Sequence, residues 1–356
     1  MCNLAFSLNF LLPLTGSANM RHITFPAFAT AILCTAFAAA RQWRAGAGCR
    51  NVSKWFARRS SAKHPHRMVL QVATVLNDTY VHGYDARESL RLQDQASTLD
   101  ELLHADTVYP AGSRVLEAGC GVGAQTVTLA RQSPDALITS IDISPKSLSE
   151  AGRAVAAAGV CNVTLQQADI FNLPFAPGSF DHVFVCFVLE HLPEPVAALH
   201  ALKRMLKPGG GITVIEGDHG STYFHPHSDL AQRAVDCLAD LQARAGGNAL
   251  IGRTLYPLLR AAGFDAVQVS PRMVYVDASK PTLVEGFTLK TFTAMIEGVR
   301  KPAIEAGLMS AADFDQGIAD LVRTAGPDGV FCYTFFKATA VTGHTGEIGA
   351  ARLLTT

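Results

Sequence analysis

Three alternate glycines stand between two acidic residues in the first half of the chain. Gly119, Gly121 and Gly123 follow Glu117 closely, and Asp142 lies 25 residues beyond that glutamate. A glycine-rich turn between a strand and a helix lets the backbone approach a bound molecule next to a helix N-terminus. An acid at the end of the following strand can accept hydrogen bonds from both hydroxyls of a ribose. The spacing therefore predicts a cofactor site with Asp142 at the ribose.

The glycine loop alone does not select one cofactor. Residues 119–124 also satisfy the pattern G-x-G-x-x-[GA] of nicotinamide-binding loops, so an NAD(P)-dependent oxidoreductase stays open as an alternative. Such an enzyme would need a catalytic Tyr-x-x-x-Lys on a helix. Tyr333 and Lys337 have that spacing, but they lie in a β-branched and aromatic run that favours a strand.

A second set of polar residues follows an apolar run in the middle of the chain. The run 211–216 is typical of a strand, and an imidazole just beyond it has an unperturbed pKa of about 6.5, suited to taking a proton near neutrality. A neighbouring carboxylate would orient that ring and raise its pKa. No metal site is predicted, because the histidines lack a nearby cysteine or acid triad. The polar residues are Glu216, Asp218, His219, Tyr223, His225 and His227.

These residues need a scaffold that brings strand ends together, and the chain alternates strand and helix patterns. Strand patterns occur at 113–117, 136–142, 163–167, 182–188 and 211–216, with helix patterns at 124–131, 145–158 and 195–205 between them. Such alternation predicts a parallel α/β sheet with right-handed crossovers. Two further strand patterns, 266–276 and 331–341, are separated by a helical insert at 280–328.

Several motifs in a fixed order give the chain a family resemblance. The order is Glu-Ala-Gly-Cys-Gly-Val-Gly at 117–123, Ala-Asp-Ile at 168–170, Phe-Asp-His-Val at 180–183 and Leu-Lys-Pro-Gly-Gly at 206–210. Together they resemble the class I S-adenosylmethionine-dependent methyltransferases over roughly 111–218. The run that includes Glu190-His191-Leu192 is most similar to the small-molecule, quinone-biosynthesis-like branch. The resemblance implies a Rossmann-like seven-stranded sheet, mostly parallel with an antiparallel C-terminal strand, and helices on both faces.

The same resemblance implies a role for individual residues around S-adenosyl-L-methionine. The cofactor would lie across the carboxyl ends of the first three strands, in agreement with the crevice rule for open α/β sheets. The implied residues are Glu117, Gly119, Gly121 and Gly123 at the methionine part, Asp142 at the ribose, Ile143, Asp169 and Ile170 at the adenine, and Phe187 and Val188 near the sulfonium.

A small organic molecule is the predicted methyl acceptor, reached by direct in-line transfer. A sulfonium methyl is already activated, so the protein mainly aligns the reactants and excludes water. A general base is needed only when the acceptor must lose a proton, and His219 with Asp218 and Glu216 is the candidate. Alternatively, His219 only hydrogen-bonds the acceptor. The acidic body disfavours nucleic acid, and a catalytically idle cofactor-binding protein remains a further alternative.

Composition and charge divide the chain near residue 70. The 356 residues are 49% hydrophobic and 17% charged, which excludes a disordered chain. Residues 1–77 hold nine of the 30 basic residues and none of the acidic ones. We predict a leader outside the core at 1–67 (a targeting segment or an over-extended start), N-terminal lid helices at 68–110, the methyltransferase domain at 111–342 and a tail at 343–356. The scattered cysteines favour the cytoplasm, membrane association of the core is not expected, and the oligomeric state is not predicted.

Overall fold

A seven-stranded sheet forms the centre of the structure, a computed structural model that describes residue 91 and residues 98–343. The predicted leader, most of the predicted lid region and the tail beyond 343 lie outside the described residues. The strand order is β3-β2-β1-β4-β5-β7-β6, and β7 runs antiparallel to both of its neighbours. The predicted mostly parallel sheet with an antiparallel C-terminal strand is confirmed. The strands are β1 Arg114–Ala118, β2 Leu137–Asp142, β3 Val163–Gln167, β4 Phe180–Cys186, β5 Leu206–His225, β6 Asp265–Asp277 and β7 Val330–Val341.

Helices cover both faces of the sheet, as predicted, and each face has its own apolar core. Leu129, Val235 and Phe314 belong to the core on one face, and Leu199 and Leu259 to the core on the other. Within 98–343 and at residue 91, no helix combines the length and apolarity needed to cross a membrane. The main helices are Ala124–Gln132, Pro145–Ala158, Pro195–Met205, Asp229–Arg244, Leu255–Ala261 and Ala311–Arg323, with a helical stretch at 281–305 that includes a π-helix at Val284–Thr293.

Local capping explains why the helix after β2 has the bounds that the sequence predicts. The Ser144 hydroxyl accepts the backbone N–H of Ser147 at 3.2 Å, and Pro145 occupies the first turn, where a missing N–H costs nothing. Gly159 ends the helix in the left-handed conformation at φ 68°. Asp142, two residues before this cap, is thereby fixed at the carboxyl edge of the sheet.

The fifth strand is much longer than the predicted 211–216, and this is a correction with consequences for the site. β5 continues to His225 because β7 offers a long aromatic partner strand, with Asp218 opposite Thr334 and His225 opposite Val330. Between Asp218 and Tyr223 the register shifts, so that residues 219–222 form a bulge. Bulges re-aim side chains near the ends of strands. His219 therefore lies in a strand bulge, whereas the sequence suggested a loop beyond the strand.

The described part of the N-terminal region is fastened to the sheet by a buried lysine. The Lys337 ammonium, on β7, donates to Asp106 Oδ1 at 2.5 Å, to Thr107 Oγ1 at 2.6 Å and to the Leu103 carbonyl at 3.2 Å. Arg272 on β6 donates to the other oxygen of Asp106. Burial lowers the pKa of Lys337, and the Asp106 carboxylate partly offsets this effect. Segment 98–107 is thus held against β7.

We expect Asp106→Asn to lower the free energy of unfolding by about 2–3 kcal/mol. This loss is smaller than that for breaking a fully buried ion pair, because the Asp106 side chain is half exposed. The physical reason is that the Lys337 ammonium, only 3% exposed, loses its counter-charge. Adding Lys337→Met in the same chain should restore most of that loss, since no buried charge is then left. Urea unfolding of the single and double variants measures this coupling. Additive losses in the double variant would contradict the account.

Candidate active site

The glycine loop after β1 is held in shape by backbone hydrogen bonds and by its own left-handed residues. The N–H groups of Gly119 and Cys120 both donate to the Ile141 carbonyl, at 2.8 and 2.9 Å. Gly119 and Gly123 have φ values of 75° and 81°. A Cβ on Gly119 would lie 2.5 Å from Val188 Cγ2, and one on Gly123 would lie 2.9 Å from Ala151 Cα. Both positions therefore need glycine for packing as well as for backbone conformation.

Gly121 differs from these two glycines because open space lies in front of it. Its φ is 52°, and a Cβ built there would have no heavy atom within 4 Å. Its N–H donates to Asp142 Oδ2 at 2.8 Å. Open space therefore lies at the centre of the loop, next to the Asp142 carboxylate, and we call it the Gly121 cradle. A side chain at residue 121 would fill it. The residues present fit the nucleoside-bearing cofactor that the sequence implies.

Asp142 joins the loop after β1 to the loop after β2. Its Oδ2 accepts from Gly121 and its Oδ1 from the Ser144 N–H, each at 2.8 Å. Each carboxylate oxygen can accept a second hydrogen bond, so both remain able to bind a hydroxyl. Burial raises the pKa of Asp142, and hydrogen bonds from the backbone of Gly121, Ile143 and Ser144 act in the opposite direction. The geometry suits a group that presents two oxygens side by side.

Glu117 lies beneath the loop and is 2% exposed. Its Oε2 accepts the hydroxyls of Thr126 at 2.7 Å and of Ser140 at 2.6 Å, whereas Oε1 takes part in neither bond. Burial raises the pKa of Glu117 to about 7, although the two hydroxyls favour the charged form. The carboxyl is therefore close to half-protonated at neutral pH without a ligand, and a cationic ligand nearby would favour its ionised form.

The raised pKa of Glu117 gives a pH-dependent contribution to stability. The ordinary pKa is 4.5 and the folded value is about 7. The folded protein therefore keeps a proton that the unfolded chain releases. The contribution is fully present below pH 4.5 and is lost as the pH rises through 7, in total up to about 3 kcal/mol. Urea unfolding across this pH range should show that slope in the wild type and not in Glu117→Gln. Equal slopes in the two proteins would contradict it.

The residues implied for the adenine lie in the loops after β2 and β3. Asp169 Oδ1 accepts the Phe171 N–H at 2.9 Å, which forms a local turn, and its Oδ2 takes no part in that bond. The Ile143 carbonyl accepts the Gln167 side-chain amide at 3.0 Å. Ile170 is half-buried against the core. The structure thus brings these residues to one edge of the sheet, with Asp169 also shaping its own loop.

The end of β4 carries a strained residue beside the glycine loop. Phe187 has a φ of 57°, which is uncommon for an aromatic residue, and its ring centroid lies 5.5 Å from that of Phe335. Such strain is often found at functional sites. Glu216 Oε1 accepts the N–H groups of Val188 at 3.1 Å and of Leu189 at 2.8 Å. Glu216 is fully buried, and burial together with the Glu190 charge raises its pKa well above the ordinary value. Glu216 therefore supports the end of β4 from below through these two hydrogen bonds.

Asp218 does not face the imidazole that the sequence assigns to it. Its two oxygens accept from Arg253 Nε at 2.6 Å and Nη2 at 2.8 Å, and Oδ1 also accepts the Gly220 N–H. This bidentate pair neutralises a carboxylate that is only 2% exposed. Asp218 and Glu216 are thus both engaged elsewhere, and the expectation that one of them orients the His219 ring is not met. His225 and His227 are exposed strand-end and loop residues.

His219 instead contacts Tyr333 and Glu190. Its Nδ1 lies 3.1 Å from the Tyr333 hydroxyl, and its Nε2 lies 3.8 Å from Glu190 Oε2. The Phe292 ring, from the π-helix, lies 6.4 Å from the imidazole. Gly217 lets the tyrosine approach, because a Cβ there would collide with the Tyr333 hydroxyl. The three polar groups converge where β5, β7 and the turn after β4 meet.

Burial determines the protonation of this imidazole. Desolvation lowers the pKa of His219, against the attraction of Glu190 and in the same direction as the positive charge of Arg91. The sequence expectation of a raised pKa is therefore reversed, since burial outweighs the carboxylate. The ring is neutral at physiological pH. Asp218 also raises the pKa of this ring, and His191 lowers it.

Glu190 and Tyr333 are the functional candidates that sequence reasoning missed. Glu190 was in view only as part of a family-like run, and Tyr333 only through an accidental spacing to Lys337. Tyr333 and Lys337 lie on strand β7, not on a helix, and bind different partners, Tyr333 to His219 and Lys337 to Asp106, so they form no catalytic pair. Residues 331–336 are rich in aromatic side chains and pair with the strand that carries His219. That pattern is the sequence signal that indicates Tyr333.

Comparison with known proteins agrees with this geometry. Residues 115–210 match a family model described as a methyltransferase domain. An uncharacterized 37.1 kDa protein in transposon TN4556 of Streptomyces fradiae is 31% identical over 220 residues, which cover 58% of this chain and 62% of that one.

Two further relatives have named activities. The 27-O-demethylrifamycin SV methyltransferase of Amycolatopsis mediterranei is 33% identical over 134 residues, covering 37% of this chain and 49% of the relative. The demethylmenaquinone methyltransferase of Staphylococcus aureus is 32% identical over 134 residues, covering 37% and 55%. The chain therefore spans about half to three fifths of the length of these relatives.

Proposed function

We propose that the chain, whose residues 115–210 match a methyltransferase domain, is a class I S-adenosylmethionine-dependent methyltransferase and transfers the methyl group of S-adenosyl-L-methionine to a small molecule. The observation that carries the proposal is the open cradle at Gly121, bounded by the Asp142 carboxylate. A nicotinamide enzyme would need a tyrosine and lysine pair acting together, and Tyr333 and Lys337 bond to different partners.

Different residues of the chain hold the ribose, methionine and adenine parts of the cofactor. Asp142 binds the two ribose hydroxyls with the oxygens that also fix Gly121 and Ser144. Glu117 and the loop backbone hold the methionine part of the cofactor. The ammonium group of that part favours the ionised form of the Glu117 carboxyl. Asp169, with Ile143 and Ile170, takes the adenine. When bound, the cofactor supplies a methyl carbon that is already activated by a sulfonium.

The acceptor lies beyond Phe187 and Val188, towards His219. The path is continuous: Val188 touches the glycine loop, Phe187 stacks near Phe335, and the Tyr333 ring lies 4.7 Å from Phe335. Apolar rings along this path exclude water from the transfer. The named relatives act on quinone-like and rifamycin-like compounds by their names, which supports a small organic acceptor in this chain too.

Incubation with methyl-labelled S-adenosyl-L-methionine and a panel of small acceptors tests the activity. We expect label to appear in one class of small molecule, with one S-adenosylhomocysteine formed for each methyl transferred. The panel should hold hydroquinones, phenols, alcohols and amines of similar size, with a duplex oligonucleotide as the macromolecular control. Cofactor binding without transfer to any member would favour the idle cofactor-binding protein, and labelling of the oligonucleotide would contradict the small-molecule acceptor.

A further inference from the structure

His219 and Glu190 face each other across a short gap that one hydroxyl group can bridge. His219 Nε2 and Glu190 Oε2 are 3.8 Å apart, too far for a direct hydrogen bond and close enough for one oxygen atom to reach both. Among the residues that the structure describes, Glu190 Oε2 has no hydrogen-bond partner although it is buried. A buried carboxylate oxygen without a partner is costly unless a ligand satisfies it. The two side chains still keep 7% and 11% of their surface exposed.

The tautomer of His219 follows from Tyr333. The Tyr333 hydroxyl lies 3.1 Å from His219 Nδ1, where the phenol can donate its proton to the ring nitrogen. In a neutral imidazole one nitrogen accepts and the other carries the proton. With Nδ1 as the acceptor, the ring proton is on Nε2, which faces Glu190 Oε2, and that carboxylate oxygen favours an N–H on its side of the ring. His219 therefore offers the site a donor and has no free lone pair with which to act as a base.

We propose that Glu190 is the general base of the methyl transfer and that His219 Nε2–H holds the oxygen of a hydroxyl acceptor. The inference rests on the proposed function and extends it to the class of acceptor. The acceptor oxygen accepts from Nε2–H and donates its own proton to Glu190 Oε2. As the O–H bond breaks, the proton passes to Glu190, and the oxygen electron pair that is freed forms the new bond to the methyl carbon. The carbon–sulfur electron pair leaves with the sulfur, so charge and atoms balance.

The donor and acceptor pair favours a hydroxyl over an amine as the methyl acceptor. A hydroxyl donates once and also accepts, which matches one N–H and one carboxylate oxygen. A neutral amine has one lone pair, which must attack the methyl carbon, so it would leave Nε2–H unsatisfied, whereas a hydroxyl oxygen has a second lone pair for that bond. A site built to bond a hydroxyl rejects analogues that cannot make both bonds, because its buried polar groups stay unpaired.

Charged groups on every neighbouring element are consistent with this division of roles. Asp218, on β5, is paired with Arg253, and Glu216 Oε1 accepts two backbone N–H groups, so neither carboxyl is directed at the acceptor's proton. Arg91 and His191 disfavour an imidazolium at His219. The Phe292 ring closes the remaining side of the imidazole. Glu190 is therefore the carboxyl group of this cluster that faces the gap.

The state of His219 can be tested in the protein alone, without any ligand. Ring-nitrogen NMR of the histidine-labelled protein, assigned with His219→Gln, should show a neutral ring with the proton on Nε2 throughout pH 6–8. Tyr333→Phe should weaken that preference, because the donor to Nδ1 is lost. A proton on Nδ1, or titration of the ring near pH 7, would leave Nε2 free as a base and overturn the proposal.

The role of Glu190 is tested by the most active hydroxyl acceptor of the panel. Glu190→Gln should lower kcat by roughly 10²–10⁴ and remove the acid limb of the pH–rate profile, the usual effect of losing a general base. His219→Gln keeps an N–H donor and should retain more activity than His219→Ala. Glu194→Gln is the matched control, since Glu194 is exposed and makes no capping bond, and it should leave kcat unchanged.

These outcomes separate the inference from the function on which it rests. Calorimetric binding of S-adenosyl-L-methionine should be equal in the wild type and in Glu190→Gln. Binding in both, with full turnover in Glu190→Gln, would overturn only the role of Glu190. Methylation of amines in preference to matching alcohols and phenols would overturn the class of acceptor. A wild-type protein that does not bind the cofactor contradicts the proposed function itself.

Discussion

Gly121→Val is expected to abolish detectable binding of S-adenosyl-L-methionine while the protein stays folded. Gly121 has no heavy atom within 4 Å of the place where a Cβ would stand, so a side chain there meets only the space reserved for the cofactor. The residue also has a φ of 52°, which costs a non-glycine residue about 1–2 kcal/mol. Calorimetric titration measures the binding, and thermal unfolding shows that the fold is retained.

Gly159→Val separates the lost space from the backbone strain. Gly159 ends the helix Pro145–Ala158 with a φ of 68°, and a Cβ there also meets nothing within 4 Å. We expect both variants to lose similar stability and only Gly121→Val to lose binding. If the Gly159 variant lost binding to the same degree, or the Gly121 variant bound normally, the cradle would not be the cofactor site.

Asp142→Ala is expected to weaken S-adenosyl-L-methionine binding by about 1.5–3 kcal/mol, the range for hydrogen bonds to a charged group. The dissociation constant should therefore rise by about one to two decades. Two effects act together, because the variant loses the ribose acceptor and also frees the Gly121 and Ser144 N–H groups that shape the loops.

Asp181→Ala provides the control for loss of a carboxylate that accepts a backbone N–H. Asp181 accepts the Arg114 N–H at 2.9 Å and pairs with Lys207, but it lies where β4 begins, at the opposite edge of the sheet. This variant should lose some stability and keep its affinity for the cofactor. Unchanged affinity in Asp142→Ala would mean that the ribose is held elsewhere.

The cofactor half of the site could be predicted from the sequence because it depends on local patterns. The acid, glycines and second acid follow one another within 26 residues, and each strand–turn–helix unit fixes its own part of the edge. The helix cap at Ser144 and the left-handed turns at the glycines depend only on the residue type at each position, so they can be predicted locally. Parallel strands then bring these turns to the same edge without further information.

The acceptor half could not be predicted in the same way, because it depends on pairing between distant strands. His219 meets Tyr333 only because β5 continues past Glu216 beside β7 and bulges there, across 114 residues of chain. The sequence shows two acids close to the imidazole, Glu216 and Asp218, whereas Glu190 stands 29 residues before it. Packing then assigns Asp218 to Arg253 and Glu216 to the backbone of β4, and leaves Glu190 facing the ring.

Calorimetric titration of the chain with S-adenosyl-L-methionine, beside an identical titration with NADH, tests the central claim most directly. The Gly121 cradle and the Asp142 carboxylate predict one S-adenosyl-L-methionine bound per chain, lost in Gly121→Val, and no heat of binding with NADH. Saturable binding of NADH by a protein that does not bind S-adenosyl-L-methionine would contradict the account.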